Sequence, residues 1–259
     1  MDTPAANAFR DVMGTDPSST SSPLAAASAD FVFGQVWSRP GLSRRDRRFV
    51  TLACVCASDV VGEIDDHVYA ALASGDITFE ELLEFVLHFA VYCGWPKGSQ
   101  AEVAARSQYA RLADERGQDV APRPDLPLRS LGPTDHEERL RAGERCFVEV
   151  NLLPAPTRDS PYFQAGILGF VFGHLWQRPN LGRRERRLIT VACVGVSDAL
   201  GPIYSHVGSA LESGDLTLEE MNEVVLQFSA YSGFAKGRVL QQVATESWNR
   251  ITAGRNMSH

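Results

Sequence analysis

No stretch of the chain approaches the ~20 consecutive apolar residues that a bilayer-spanning helix needs. The most apolar run, Phe49 to Val61, already contains Asp59, so a membrane partner is not expected. A basic surplus is missing too: 25 Lys and Arg stand against 32 Asp and Glu, a formal net charge of −7. Attachment to nucleic acid or to an anionic membrane by bulk charge is therefore disfavoured. Cysteine is scarce: the five residues are Cys54, Cys56, Cys93, Cys146 and Cys193, and no two stand in C-x-x-C spacing. This odd set offers neither a disulfide framework nor the paired thiols of a zinc site, and reduced thiols in a cytoplasm are expected. The start at Met1 and Asp2 has no basic residues and no apolar stretch, so a secretory signal is not expected. Strand patterns are lacking as well, because nothing alternates with period two over a useful length.

Apolar residues make up 44% of the chain and charged residues 22%, ordinary values for a globular protein with a proper core. At ~100–200 residues per domain, 259 residues allow one large or two small domains. An internal repeat decides for two. FVFGQVWSRPGLSRRDRRFVTLACV from Phe31 returns as FVFGHLWQRPNLGRRERRLITVACV from Phe170, a shift of 139 residues (170 − 31). Over Phe31–Gly98 and Phe170–Gly237 the two copies agree at 38 of 68 positions without a gap. One hydrophobic pattern folds one way, so two copies of one domain are expected at 1–116 and 135–259. Between them 117–134 carries Pro122, Pro124, Pro127 and Pro133 and reads as an extended linker. The second copy also has a longer lead-in, with Asn151, Pro154, Pro156 and Pro161.

Each copy reads as helices. Ser43, with Asp46 three residues on, starts a helix whose run Phe49–Val61 predicts burial on most sides, with Gly62 as the expected stop. Ile64, Val68, Ala71 and Leu72 then recur at helical spacing up to Gly75. Thr78 with Glu81 and Thr217 with Glu220 are capping boxes that open a third helix ending at Gly94 and Gly233, and a fourth follows Pro96. The expected fold class is all-α.

Several residues offer chemistry. Glu63 and His67 are four apart and share a helix face, and the neighbouring apolar stripe predicts a half-buried imidazole able to hold a proton near neutral pH. His206 is the equivalent of His67, but its partner position is Pro202. Each copy has five arginines around the start of its first long helix: Arg39, Arg44, Arg45, Arg47 and Arg48, then Arg178, Arg183, Arg184, Arg186 and Arg187. Cations in an opening helical turn oppose the helix dipole. Compensation by a bound carboxylate, or by acidic groups of a neighbouring subunit, is expected. Arg39 and Arg178 lie in loops, where binding is the commoner role. Trp37 and Trp176, with Phe33 and Phe172, form an aromatic cluster whose first expectation is core packing. His88 and Tyr92 are one turn apart where the second copy has Gln227 and Tyr231, and His174 stands in place of Gln35. His136 and His259 carry no expectation.

The order FGxxWxRPxLxxRxRR, T-x-A-C, Gly-x-x-x-x-His with Ala-Leu-x-x-Gly, T-x-E-E and Y-x-G, present in both copies, resembles the carboxymuconolactone decarboxylase family. The resemblance implies a tandem duplication of the AhpD-like helical domain, a pocket near domain contacts, and a homo-oligomer, with a trimer of tandem chains favoured. A peroxidase branch of that family has its reactive thiol four residues before the histidine. This chain has Glu63 and Pro202 there, so a thiolate nucleophile is absent at that position.

Glu63 with His67 resembles the decarboxylase branch, and the implied activity is a cofactor-independent carboxy-lyase, or a related proton transfer, acting on a small carboxylated lactone or enolisable metabolite. Such a decarboxylation requires neither metal nor cofactor. In that reading Glu63, His67 and His206 are the catalytic candidates. Arg39 and Arg178 anchor a carboxylate, and Trp37, Trp176, His88, Tyr92, His174 and Tyr231 complete the binding surface. A thiol peroxidase using another cysteine, and a non-catalytic metabolite-binding or assembly protein, are the alternatives.

Overall fold

A computed structural model of the protein describes residues 3–17, 22–118 and 135–256. Among them are eleven α-helices and no strand. The first copy comprises α1 (Pro4–Met13), α2 (Pro23–Ala27), a π-helical segment Ser28–Trp37, α3 (Arg44–Ser58), α4 (Val61–Ala73), α5 (Phe79–Cys93) and α6 (Trp95–Glu115). The second comprises α7 (His136–Asn151), a π-helical segment Tyr162–Phe172, a 3-10 turn Leu175–Gln177, α8 (Arg183–Val196), α9 (Leu200–Ser213), α10 (Leu218–Ser232) and α11 (Phe234–Asn256). The proline-rich linker expected at 117–134 lies, from residue 119 onward, outside the described residues.

Local chemistry accounts for most helix ends. Ser43 Oγ accepts from the Asp46 amide at the start of α3, and both Thr–Glu capping boxes close on α5 and α10. One expectation fails. Gly62 does not stop α3: the helix ends at Asp59, in the left-handed region with φ 63°, and Gly62 lies in the first turn of α4. Asp tolerates that conformation better than most residues. Asp198, φ 52°, follows α8 in the same way. Lys97 pairs with Asp59 and donates to the Ala57 carbonyl, while Lys236 pairs with Asp198 and donates to the Val196 carbonyl, so each lysine ties down a helix end. Close packing of α7 on the π-helical segment Tyr162–Phe172 requires Gly143, since a Cβ there would meet the Leu168 carbonyl oxygen at 1.9 Å.

The copies do not build separate cores. A single buried cluster joins Phe49, Leu52, Phe85 and Phe89 of the first to Leu188, Val191, Val224 and Phe228 of the second. In it α3 packs on α8, α5 reaches across to α8, and α10 reaches across to α3. Four arginines sit in this interior at 0–1% exposure: Arg47, Arg48, Arg186 and Arg187. Fully buried arginines are rare unless paired.

Their partners come from within the chain, and often from the other copy. Arg47 meets Glu223 at 2.9 Å, and Arg39 clasps the same carboxylate at 2.7 and 2.9 Å. Reciprocally, Glu84 accepts from Arg178 at 2.9 and 3.0 Å and lies 3.7 Å from Arg186. Arg184 reaches Asp46 at 3.0 Å while Arg45 approaches Glu185 at 3.5 Å. Arg48 and Arg187 pair within their own copies, with Asp76 and Asp215. The compensation expected from a ligand or a neighbouring subunit is thus supplied intramolecularly.

Removing one member of a buried ion pair strands the other. Glu84→Ala should cost about 3–5 kcal/mol in a urea titration, because Arg186 is left buried beside an empty acceptor. Glu102→Ala, which breaks only the exposed pair with Arg106, should change stability by less than about 1 kcal/mol.

Candidate active site

The exchange of arginine and glutamate between copies also exchanges aromatic residues. The indole N–H of Trp37 donates to the Tyr231 hydroxyl at 2.8 Å, and that of Trp176 donates to Tyr92 at 2.9 Å. His67 meets the edge of Tyr231 with ring centres 5.2 Å apart, and His206 meets Tyr92 at 5.8 Å. Each histidine–tryptophan pair therefore belongs to one copy and its tyrosine to the other. Behind each tryptophan lies a buried guanidinium, Arg48 over Trp37 at 5.0 Å and Arg187 over Trp176 at 5.6 Å. In the second copy the Trp176 ring also runs parallel to the His206 imidazole at 6.2 Å.

These surroundings overturn the expected protonation. His67 is 2% exposed rather than half-buried, and burial, reinforced by Arg48, lowers its pKa to about 3. Burial, reinforced by Arg187, brings His206 to about 3 as well. Both rings are neutral at physiological pH and hold no proton in reserve. The couple between Glu63 and His67 is not closed: the nearest approach is 4.0 Å, beyond hydrogen-bond distance, and the Glu63 side chain is 61% exposed. The Nδ1 atoms of His67 and His206 are buried without a protein partner.

The arginine anchors and His88 are occupied. Arg39 and Arg178 are committed to Glu223 and Glu84. His88, 0% exposed, accepts on Nδ1 from Arg186 at 3.1 Å, which puts its proton on Nε2, 2.7 Å from the Thr190 hydroxyl. Gln227 reproduces that pattern in the other copy: Oε1 accepts from Arg47 at 3.1 Å and Nε2 donates to Thr51 at 2.9 Å. The position calls for one acceptor and one donor, and both residue types supply them. Burial, followed by Arg186, keeps His88 well below the ordinary histidine range. His174 stacks on Phe170 and lies 3.4 Å from Arg178.

A cavity of about 480 Å³ opens at the second copy, bordered by His206 and Tyr92. The long lead-in builds much of it, through Pro156, Tyr162 and Phe163 from the π-helical segment and the loop before it. Phe147, Phe172 and Val194 complete the apolar wall. The polar positions are Tyr92, Asn151, Tyr162, Ser197, Ser205 and His206, and no lining residue is charged. Asn151 accepts from Ser205 at 3.0 Å. Ala199, Gly201 and Pro202 at the start of α9 form one edge, where the Gly201 N–H has no intrahelical acceptor. Pro202 thus takes a position at the rim where Glu63 would place a negative charge. Beside His67, Val12 and Met13 of α1 are buried against Phe33 and Trp37, as Cys146 and Val150 of α7 are against Phe172 and Trp176.

The sequence profile of the carboxymuconolactone decarboxylase family matches residues 23–107 and again 161–246. The chain belongs to this family. Over 82 residues it is 41% identical to 4-carboxymuconolactone decarboxylase of Acinetobacter baylyi, a match covering 32% of this chain and 60% of that protein. Over 86 residues it is 34% identical to nitrosuccinic acid decarboxylase of Metarhizium robertsii, covering 33% of this chain and 59% of that one. The chain spans about three fifths of the length of each relative. Within the family frame, Asn151, Ser205 and the pair Glu84 and Glu223 were not anticipated. The twin glutamates had a signal, an identical acidic residue at repeat-equivalent positions in an apolar helix.

Two outcomes follow. His88→Gln should keep stability within about 1 kcal/mol in denaturant unfolding, whereas His88→Leu, which leaves Arg186 and Thr190 without their partner, should cost about 1–3 kcal/mol. Because His67 and His206 titrate near 3 when folded and near 6.5 when unfolded, the unfolded chain binds more protons between those values. Their contribution to stability is complete above pH 6.5 and declines as pH falls through that window, by up to about 1.4 kcal/mol per pH unit for each histidine. The Phe variants of both should flatten this slope in unfolding measured from pH 7 to pH 4.

Proposed function

We propose that the protein is a cofactor-independent carboxy-lyase whose reacting site is the cavity beside His206. The supporting observation is the pairing of a neutral imidazole with a tyrosine hydroxyl in a recess without lining charges. The decarboxylases it resembles act, by name, on a carboxylated lactone and on nitrosuccinic acid. Both compounds hold a carboxylate near a group that can take up an electron pair, a lactone carbonyl or a nitro group. The substrate class proposed here is the same: a small acid whose carboxylate lies next to such an electron sink.

In this reading the carbon–carbon bond to the carboxylate breaks, carbon dioxide leaves, and the electron pair moves onto the oxygen of the sink. An apolar wall stabilises dispersed charge better than the localised charge of the starting carboxylate, and so favours this step. Tyr92 accepts from Trp176 and keeps its own proton to donate; burial pushes its pKa up to about 12, so the hydroxyl stays protonated. Together with the neutral His206 it stabilises the developing oxyanion by hydrogen bonding. Since His206 carries no imidazolium at neutral pH, water is the source of the proton that replaces carbon dioxide. Arg187, buried behind Trp176 and His206, supplies positive potential that holds the anionic substrate without contacting it. The reading includes self-association, for which exposed Trp95 and Phe234 offer apolar surface.

The test is carbon dioxide release from a panel of carboxylated lactones and nitro-substituted acids. Tyr92→Phe and His206→Ala should each lower kcat by about 100-fold or more, while Glu63→Gln should leave it within about twofold, its carboxylate lying in solvent. Turnover that survives His206→Ala but is abolished by Glu63→Gln and His67→Ala would move the reacting site to the first copy. A bound acid found by native mass spectrometry without any turnover would make the chain a binding protein.

A further inference from the structure

Besides Tyr92 and His206, the cavity holds a polar pair to which the proposed reaction gives no role. Asn151 is 5% exposed and Ser205 is half-buried, and both line the recess. One N–H of Asn151 donates to the Phe147 carbonyl at 3.2 Å, and Asn151 Oδ1 accepts from the Ser205 hydroxyl at 3.0 Å. The Ser205 proton is thereby committed. Two capacities are left over, the second Asn151 N–H as a donor and the Ser205 Oγ lone pairs as an acceptor. Neither has a partner among the described residues. A buried amide that is only partly satisfied favours any ligand able to complete its bonding.

The pair belongs to the second copy alone. Helices α1 and α7 end alike: Met13 precedes Gly14 and Asn151 precedes Leu152, and both followers are left-handed. Arg48 and Arg187 donate to the carbonyls one residue earlier, those of Val12 and Val150. Met13 is therefore the counterpart of Asn151, and the repeat shift of 139 (205 − 66) makes Asp66 the counterpart of Ser205. Together with Pro202 in place of Glu63, these exchanges take two carboxylates off one helix face and set a neutral donor and acceptor in the cavity wall. The rest of the wall suits a flat ring. Phe147 and Phe172 meet edge to face at 4.9 Å, and Phe163 continues the surface. Because no lining residue is charged, nothing in the wall would neutralise a second anionic group on a ligand.

We propose that Asn151 and Ser205 are the specificity determinants of this cavity, and that they select a planar ring acid carrying one carboxylate and a hydroxyl. The inference rests on the proposed function only in taking this cavity as the place where the ligand binds. The ligand hydroxyl accepts from the free Asn151 N–H and donates to Ser205 Oγ, so that both leftover capacities are used at once. A hydrogen in its place leaves both bare. A second carboxylate accepts from Asn151 but has no proton for the Ser205 lone pairs, and it brings an uncompensated charge against an apolar wall.

The experiment titrates the full-length protein at neutral pH with benzoate and with its meta- and para-substituted hydroxy and carboxy forms, and reads Kd by isothermal calorimetry. At least one hydroxybenzoate should bind about fivefold or more tighter than benzoate, and the dicarboxylates about tenfold or more weaker than that hydroxybenzoate. Asn151→Met and Ser205→Ala should each erase the preference for the hydroxyl while benzoate stays within about twofold, a pattern that general loss of structure would not give. Gly166→Leu checks the place. Gly166 lines the cavity and a side chain there would enter open space, so this variant should abolish binding of every probe. Should Asn151→Met fail to fold, Ser205→Ala decides the matter. Equal affinity for benzoate and both hydroxybenzoates, tighter binding of a dicarboxylate, a hydroxyl preference that survives the variants, or no binding of any probe would overturn the proposal. These readouts need no turnover: a chain that discriminates among the probes yet releases no carbon dioxide from any acid fails the lyase reading and keeps this one.

Discussion

The exchange of buried charge between the two copies is the constraint on which the other features depend. Glu84 and Glu223 stand at the same position of α5 and α10, and each reaches a pair of arginines on the opposite copy. A buried carboxylate without its guanidinium costs several kcal/mol, and so does the reverse. Sliding α5 along α8 by one turn would strand three charged groups together, Glu84, Arg178 and Arg186, which a purely apolar contact between the same helices would not penalise. Register set in this way fixes where Tyr92 and Tyr231 arrive. Their hydroxyls meet Trp176 and Trp37 only because the helices that carry them are held at that height.

Within this near-symmetric frame the copies diverge where the frame does not constrain them. His88 and Gln227 show the constrained kind of difference, a change of residue that preserves acceptor and donor. Asn151 and the lead-in to Tyr162 show the other kind. They line a cavity by His206. Pro202 fits the same division, since proline is well tolerated in a first helical turn and removes charge from the rim.

Much of the frame was legible in the residues. The 139-residue repeat, the capping boxes at Thr78 and Thr217, and the helical stops at Gly75, Gly94 and Gly233 follow from local chemistry, and these elements stand where the patterns put them. What was not legible depends on contacts between copies. The spacing of Glu63 and His67 is that of a helix-face pair, yet it carries no information about how deeply the neighbouring helices bury one member and leave the other in water. Arg39 and Arg178 read as loop residues free to bind because their partners lie 184 and 94 positions away. The π-helical turns of Ser28–Trp37 and Tyr162–Phe172 leave no periodic mark in such short apolar segments.

The electrostatics of the recess follow from that hidden burial. An imidazole expected to titrate near neutrality is held neutral to about pH 3 because burial disfavours its charged form and a guanidinium lies behind it. The same guanidinium is itself neutralised locally by Asp215 and capped by the Val150 carbonyl. The recess therefore presents dipoles, the Tyr92 hydroxyl, the His206 ring and the Gly201 amide of α9, in front of a partly compensated cation. Fixed dipoles in a low-dielectric wall stabilise charge that appears during a reaction without reorganising to meet it. In the proposed decarboxylation, a lysine or arginine projecting into the cavity would instead bind the starting carboxylate most strongly, and would raise the barrier to its departure.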